Sequence, residues 1–281
     1  MLGLARAFLD RKGLGEARLE SELLVAHALG LDRLGLFMRL DQPIHAKEVD
    51  RARDLLVRRG RREPTAYIVG EREFYGRSFA VGPGVLVPRP ETELVVDLAR
   101  EWARGRASSP RVLDIGTGSG CLAITLALEL EGARVEAVDL SEDALEWARR
   151  NASTLEADVR WHVGDGLEVA QALAGTDGPF DLVVSNPPYV EPSEAESLEP
   201  EVREHEPALA LYAPPADADF WVRSLVECLP ALVGAGGLLL VELGHRQGRR
   251  VLEGAKGAEG VRTAQLHDDL DGTPRVLSVE P

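Results

Sequence analysis

The sequence predicts an α/β protein whose main part is a doubly wound, mostly parallel sheet, preceded by a small helical domain. Short apolar segments rich in β-branched residues alternate with longer segments of helical periodicity, which is typical of repeated strand–helix units. Four of the apolar segments run directly into glycine-rich or polar sequences. Open α/β sheets bind their ligands beyond the carboxyl ends of their strands, so these four sequences are the candidate site.

Residues 1–66 are predicted to form the helical domain. Apolar residues recur at helical spacing in three segments: 4–30, 32–40 and 46–60. Residues 67–88 alternate like a β-hairpin that turns at Tyr75-Gly76-Arg77, with Phe74 either in the core or in a substrate cleft. A helix over 91–104 follows Pro90 and begins the main domain, predicted at 89–281.

The first strand of the main domain, Arg111–Ile115, leads into a glycine-rich loop and then a helix over 121–130. The loop residues are Gly116, Thr117, Gly118, Ser119 and Gly120. Strand, loop and helix N-terminus together form a nucleotide cradle, although the glycine spacing is not that of the dinucleotide fingerprint. Asp114 is placed either to orient the loop or to meet a cationic group of the ligand.

The next two strands end in acids. Residues 133–138 lead to Asp139, about 20 residues beyond the loop, where a carboxylate can accept both hydroxyls of a ribose. Its alternative role is to cap the following helix, which Ser141 could do instead. The strand 159–163 leads to Asp165 and Gly166, which predict an adenine contact; a surface Asp-Gly turn is the alternative.

The fourth strand, 180–185, ends in Asn186-Pro187-Pro188-Tyr189. Prolines donate no N–H, so carbonyl groups here face no competing backbone donor. The side-chain oxygen of Asn186 and the carbonyl of Pro187 could grip a planar –NH2 group, against which Tyr189 would lie. The alternative is a turn that only ends the strand. A ribose acid, an adenine contact and an –NH2 grip together favour an adenosyl methyl donor over a nicotinamide.

These motifs resemble those of class I S-adenosylmethionine-dependent methyltransferases, and the chain is similar to the peptide-chain-release-factor glutamine methyltransferases. Three further segments carry that resemblance: 64–75, 85–93 (Val-Leu-Val-Pro-Arg-Pro-Glu-Thr-Glu) and 202–207. The resemblance implies a seven-stranded sheet, S-adenosylmethionine as the cofactor, and methylation of the glutamine in the Gly-Gly-Gln motif of release factors. It also implies that the helical domain and the hairpin recognise the body of the release factor. Some members of the family carry a bulky aromatic residue near the adenine, at the position where this chain has Gly166.

The amino-acid composition narrows the range of expected partners and cellular locations. The net charge of −15 argues against a nucleic-acid partner, because that affinity is largely cation–phosphate attraction. An arginine cluster, 51–62, is either a solvated helix face or a docking surface for an acidic protein. No long apolar segment and no signal peptide is present, so a cytoplasmic protein without a membrane partner is expected. The two cysteines and six histidines show no metal-ligand spacing, and no metal is expected.

Three other functions compete with the predicted one. A nucleic-acid amino-methyltransferase would use the same Asn-Pro-Pro-Tyr motif. A cofactor-binding module without catalysis would not need that motif, and a nicotinamide enzyme would need a different glycine spacing. The acidic segment 194–211 is predicted to be a loop-rich lid or a partner contact. After it we expect a helix over 220–232, a strand over 237–243 and an antiparallel pair, 261–266 with 275–280.

Overall fold

The structure is a computed structural model that describes residues 1–106, 109–213 and 217–281. Its chain divides into two compact units. The helical unit comprises Met1–Glu71, Val81–Pro83 and Leu198–His205, and the sheet unit comprises Arg72–Ala80, Gly84–Ser197 and Glu206–Pro281.

The described residues form fourteen α-helices, nine strands and two short 3-10 helices. The α-helices are α1 (Leu2–Arg11), α2 (Ala17–Leu29), α3 (Arg33–Met38), α4 (Ala46–Arg59), α5 (Thr65–Val69), α6 (Glu93–Ala103), α7 (Cys121–Glu129), α8 (Glu142–Leu155), α9 (Gly166–Asp177), α10 (Pro200–His205), α11 (Ala208–Leu211), α12 (Phe220–Glu227), α13 (Leu229–Leu232) and α14 (Gly248–Lys256). The strands are β1 (Glu71–Phe74), β2 (Arg77–Ala80), β3 (Arg111–Ile115), β4 (Arg134–Asp139), β5 (Val159–Val163), β6 (Phe180–Ser185), β7 (Val233–Glu242), β8 (Thr263–Asp268) and β9 (Pro274–Glu280). The 3-10 helices are Pro90–Thr92 and Pro192–Ser197.

The helical unit confirms the predicted helices and divides the first segment into α1 and α2. Gly30 ends α2 in a left-handed conformation, and the side chain of Asp32 then caps α3 by accepting a hydrogen bond from the Gly35 N–H (2.7 Å). Leu9 and Leu24 are fully buried in the core of this unit. None of the described helices is long and apolar enough to cross a membrane.

The predicted hairpin is shorter than expected. Residues 67–69 belong to α5, which starts after Pro64 and ends at the left-handed Gly70, so the expectation of a strand there was wrong. The hairpin itself turns through Tyr75 and Gly76, both with positive φ, as two-residue hairpin turns require. Phe74 is buried in the core of the sheet unit, which decides between its two predicted roles.

The main sheet has the order β5-β4-β3-β6-β7-β9-β8 among the described residues. Strands β3 to β7 pair in parallel, and β9 runs antiparallel to both β7 and β8. This confirms the predicted mostly parallel, doubly wound α/β fold and the antiparallel final pair. From β3 the chain proceeds outward to β4 and β5, then returns to add β6 on the other side. The switch point therefore lies between the carboxyl ends of β3 and β6.

The acidic segment after β6 is helical rather than loop-rich, and contains a 3-10 helix, α10 and α11. Residues 198–205 within it belong to the helical unit. There the Glu201 carboxylate pairs with Arg59 of α4 (2.5 Å) and with Arg62 (3.3 Å). Arg59 is only 4% exposed and also pairs with Glu20 (2.9 Å). Arg59 is therefore neither on a solvated face nor on a docking surface, and for this residue both interpretations of the arginine cluster were wrong.

Candidate active site

A cavity of about 280 Å³ opens at the carboxyl ends of β3, β4 and β6, entirely within the sheet unit. Ten of the thirteen residues predicted for the site line this cavity. Those that line the cavity are Gly116, Thr117, Gly118, Ser119, Asp139, Asp165, Gly166, Asn186, Pro187 and Pro188. The topology therefore brings together four sequences that lie up to 70 residues apart along the chain.

The glycine loop is shaped for close approach of a ligand. Gly116 has a φ of 76°, and a Cβ atom added there would meet no other atom within 4 Å, so it would occupy open space beside the cavity. Gly120 serves packing instead, because a Cβ there would come within 2.9 Å of Ile124 and 3.2 Å of Trp161. The N–H groups of Gly116 and Thr117 both donate to the Val138 carbonyl, which ties the loop to β4.

Asp114 lies beneath the loop and is fully buried, but it does not line the cavity. Its Oδ2 accepts hydrogen bonds from the Thr117 hydroxyl (2.7 Å) and from the Ala123 N–H (3.1 Å). Burial raises the pKa of Asp114 to about 7. These contacts match the first of its two predicted roles, which was to orient the loop.

Asp139 lines the cavity at the end of β4. Its Oδ2 accepts from the Gly118 N–H (2.8 Å) and its Oδ1 from the Ser141 N–H (2.9 Å). Burial raises its pKa above the ordinary value. The cap of α8 is Ser141, whose hydroxyl accepts from the Ala144 N–H (3.2 Å), so Asp139 is not required for capping.

Asp165 caps α9, because its Oδ1 accepts from the N–H groups of Leu167 (3.0 Å) and Glu168 (3.1 Å). It lines the cavity at the same time. Gly166 packs against β3: a Cβ atom added there would lie 2.6 Å from Cγ2 of Ile115. The absence of a side chain at residue 166 is thus required by contact between α9 and the sheet.

We expect Gly166→Ala to lower the stability of the protein by about 1–3 kcal/mol, because the added methyl group overpacks a rigid contact. Gly175→Ala is the matched control, since it lies in the same helix and its Cβ would meet no atom within 4 Å. The control should be neutral or slightly stabilising. Thermal unfolding of both variants measures the difference, and equal melting temperatures would contradict the packing role.

Asn186 follows β6, whose end is held to β3 by a hydrogen bond from the Ser185 hydroxyl to the Ile115 carbonyl (2.7 Å). The Nδ2 group of Asn186 donates to the hydroxyl of Thr92 (3.2 Å). Pro187 and Pro188 both line the cavity. Tyr189 is not among the described residues that line it. Its ring packs against Gly244, and burial raises its pKa to about 12.

Sequence reasoning did not single out two further residues of this region, Thr92, which lies within the segment 85–93, and Glu242. Thr92 ends the 3-10 helix after Pro90 and is 2% exposed. Glu242, the last residue of β7, is 1% exposed, and its carboxyl lies next to the Thr92 side chain. Burial raises the pKa of Glu242 to about 7. An acid that ends an apolar strand is the same signal that identified Asp139, so this signal was present at Glu242.

The segment 85–93 contacts Glu206 within the sheet unit. The Arg89 guanidinium pairs with the buried Glu206 carboxylate (2.6 Å), which also accepts from the Val87 N–H (3.1 Å). Trp221 lines the cavity, and its buried Nε1 has no hydrogen-bond partner among the described residues. A polar ligand of nucleoside size would accept a hydrogen bond from the unpartnered Nε1 of Trp221 and would occupy the open space beside the glycine loop.

Comparisons with known proteins agree with this geometry. Residues 1–70 match the family model described as "PrmC N-terminal domain", and residues 94–201 match "Methyltransferase small domain". A release factor glutamine methyltransferase of Chlorobaculum tepidum is 44% identical over 94% of this chain and 92% of its own length. One of Geobacter sulfurreducens is 42% identical over 99% of this chain and 94% of its own.

Solved structures show the same fold at low identity. The catalytic domain of hMettl16, in complex with an RNA hairpin, has a TM-score of 0.57 at 15% identity and covers 81% of this chain and 82% of its own. A methyltransferase of Pyrococcus furiosus has a TM-score of 0.52 at 20% identity, with 74% of this chain and 90% of that chain covered.

Proposed function

The chain belongs to the release factor glutamine methyltransferases, S-adenosylmethionine-dependent enzymes, and from this premise we propose that it methylates the side-chain amide nitrogen of the glutamine in the Gly-Gly-Gln motif of peptide chain release factors. The observation that carries the proposal is the meeting, in one cavity, of the glycine loop, Asp139 and Asn186-Pro187. A cofactor cradle and a grip for an –NH2 group thus open into the same space. Since translation factors are the substrates, the proposed site of action is the cytoplasm.

S-adenosylmethionine, when bound, supplies a methyl group that is already activated as an electrophile. The residues proposed to hold it are the glycine loop, with Asp139 accepting hydrogen bonds from the ribose and Asp165 lying near the adenine. Asp114 acts indirectly by keeping the loop in place through Thr117.

The difficulty of the reaction lies in the nucleophile, because the lone pair of an amide nitrogen is delocalised into its carbonyl group. We propose that the two N–H groups of the substrate donate to Oδ1 of Asn186 and to the carbonyl of Pro187. These acceptors stabilise the positive charge that develops on nitrogen and direct its lone pair at the methyl group. Positioning of this kind can lower a barrier by about 7–11 kcal/mol. The proton leaves to water after transfer, so no strong general base is needed.

The position of Tyr189 changes one part of this mechanism. A ring packed against Gly244 supports the turn after Asn186 and does not lie beside the cavity. Stacking on the substrate amide therefore requires a movement of Tyr189, whereas Asn186 and Pro187 already line the cavity.

The test is methyl transfer from labelled S-adenosylmethionine to a purified bacterial release factor, either intact or with its Gly-Gly-Gln glutamine changed to alanine. We expect label on the intact factor only. DNA and ribosomal RNA serve as competing substrates in the same assay. Label on either nucleic acid, and none on the release factor, would overturn the proposal despite the net charge of −15.

The proposed ribose contact predicts that Asp139→Ala weakens cofactor binding about 10- to 100-fold, because a charged acceptor is lost. Asp97→Ala, a surface change in α6 of the same unit, is the control and should bind normally. Isothermal titration with S-adenosylmethionine measures both affinities. Unchanged affinity in Asp139→Ala would refute the ribose contact.

A further inference from the structure

The proposed mechanism requires the Asn186 side-chain amide to lie with its oxygen, not its –NH2 group, toward the substrate. Its two terminal atoms have nearly the same size, but only the oxygen can accept a hydrogen bond from a substrate N–H. A flipped amide would present its own N–H groups to the substrate and could not grip it. In the structure Nδ2 is held by the Thr92 hydroxyl at 3.2 Å, which leaves Oδ1 available.

The Thr92 hydroxyl is itself oriented by the carboxyl group of Glu242. Thr92 is buried, has a single hydroxyl proton, and lies next to the Glu242 carboxyl, whose charged form it stabilises. An ionised carboxylate can only accept, so the Thr92 proton points to Glu242 and the hydroxyl lone pairs remain for Asn186. The second carboxyl oxygen of Glu242, Oε2, is buried with no hydrogen-bond partner among the described residues.

We propose that Glu242, acting through Thr92, fixes the Asn186 amide with its oxygen toward the substrate, so that both are positioning residues for methyl transfer. The inference rests on the proposed function, because this orientation matters only when the nucleophile is an –NH2 group. Glu242 is not among the described residues that line the cavity, whereas Thr92 lines it, and the role proposed for both is to orient Asn186. Their effect is on the turnover rate rather than on cofactor affinity.

The protonation of Glu242 makes this arrangement sensitive to pH. The groups that face it are Arg89 and Glu91 before α6, Arg275 on β9, and the Tyr189 and Cys121 side chains. Burial raises the pKa of Glu242 to about 7, while Thr92, Arg275 and Arg89 oppose the rise. Below this pH the carboxyl carries a proton that it can donate to Thr92. The Thr92 proton is then free to turn toward Asn186 and favour the flipped amide.

Turnover should therefore rise with pH through about 7, the pKa of Glu242, as the carboxylate forms. Glu242→Gln mimics the protonated acid, because its amide can donate to Thr92 at every pH. We expect this variant to have a low turnover number without the step near neutrality. The loss should be about 10- to 100-fold, with an unchanged KM for the cofactor.

A spectroscopic test reports on Asn186 without any reaction. The chain contains two asparagines, 151 and 186, so selective nitrogen-15 labelling gives only two side-chain –NH2 signals. The Nδ2 group of Asn151 is held by the carbonyls of Ala80 (3.0 Å) and Ser119 (2.9 Å) and serves as the internal reference. We expect the Asn186 signal to titrate near neutral pH in the wild type but not in Glu242→Gln. An Asn186 signal that does not move with pH in the wild type would overturn the proposal.

Kinetics of paired variants complete the test. Thr92→Val removes the hydroxyl and should match Glu242→Gln, whereas Thr92→Ser keeps it and should restore turnover. Glu136→Gln is the control for loss of a buried acid, since Glu136 lies on β4 outside the cavity and pairs with Arg111. Equal turnover in Thr92→Val and Thr92→Ser would refute the role of the hydroxyl. Failure of the wild-type enzyme to label the release factor would instead refute the proposed function. The pH dependence of the Asn186 signal would then still test whether Glu242 and Thr92 orient the Asn186 amide.

Discussion

Asn186→Ala should lower the turnover number by at least about 100- to 1000-fold and leave S-adenosylmethionine affinity near that of the wild type. The expected size follows from the loss of one preorganised group that stabilises charge in the transition state. Alanine removes both the acceptor for the substrate N–H and the donor to Thr92. The backbone carbonyl of Pro187 alone cannot orient the nitrogen lone pair.

The measurement combines single-turnover methyl transfer with isothermal titration of the cofactor. Separate effects are expected because the glycine loop and Asp139 hold the cofactor from β3 and β4, whereas Asn186 follows β6. Parallel losses of affinity and turnover would place Asn186 in cofactor binding instead. Retained turnover would exclude the proposed grip.

The strand ends could be predicted from sequence because each depends on a local pattern. Phe180–Ser185 is apolar, bounded by Gly178-Pro179 and by the proline pair, and forms β6 with the predicted bounds. Parallel pairing then brings distant strand ends to one edge of the sheet without any further information. The same logic located the glycine loop, Asp139 and Asn186.

What sequence reasoning missed depends on contacts between distant residues. Glu242 was inside a predicted strand, but its partner Thr92 precedes it by 150 positions and is brought there by the sheet order. The packing of Gly166 on Ile115 likewise follows from the tertiary fold. The strand expected at 67–69 was wrong for a local reason: three apolar residues fit either period, and Pro64 and Gly70 are the boundary residues of a short helix.

Arg59 gives the second large effect expected from the structure, this time on stability. Its guanidinium lies between the Glu20 and Glu201 carboxylates and is 4% exposed. Arg59→Ala leaves the mostly buried Glu20 without this counter-charge and leaves Glu201 only its longer pair with Arg62 (3.3 Å), so we expect the free energy of unfolding of the helical unit to fall by about 3 kcal/mol. The helical periodicity of α4 could not predict this, because Glu201 lies 142 positions further along the chain.

Arg53→Ala in the same helix is the matched control, since Arg53 and its partner Asp50 are both about two-thirds exposed. An exposed pair contributes under about 1 kcal/mol, so this change should be nearly silent. The four tryptophans, 102, 147, 161 and 221, all lie in the sheet unit. Unfolding of the helical unit is therefore followed by helical circular dichroism, and tryptophan fluorescence reports separately on the sheet unit, whose helices also contribute to the dichroism. If the two variants unfold at the same denaturant concentration, Arg59 contributes no more than a surface ion pair and the segment 198–205 is held by other contacts.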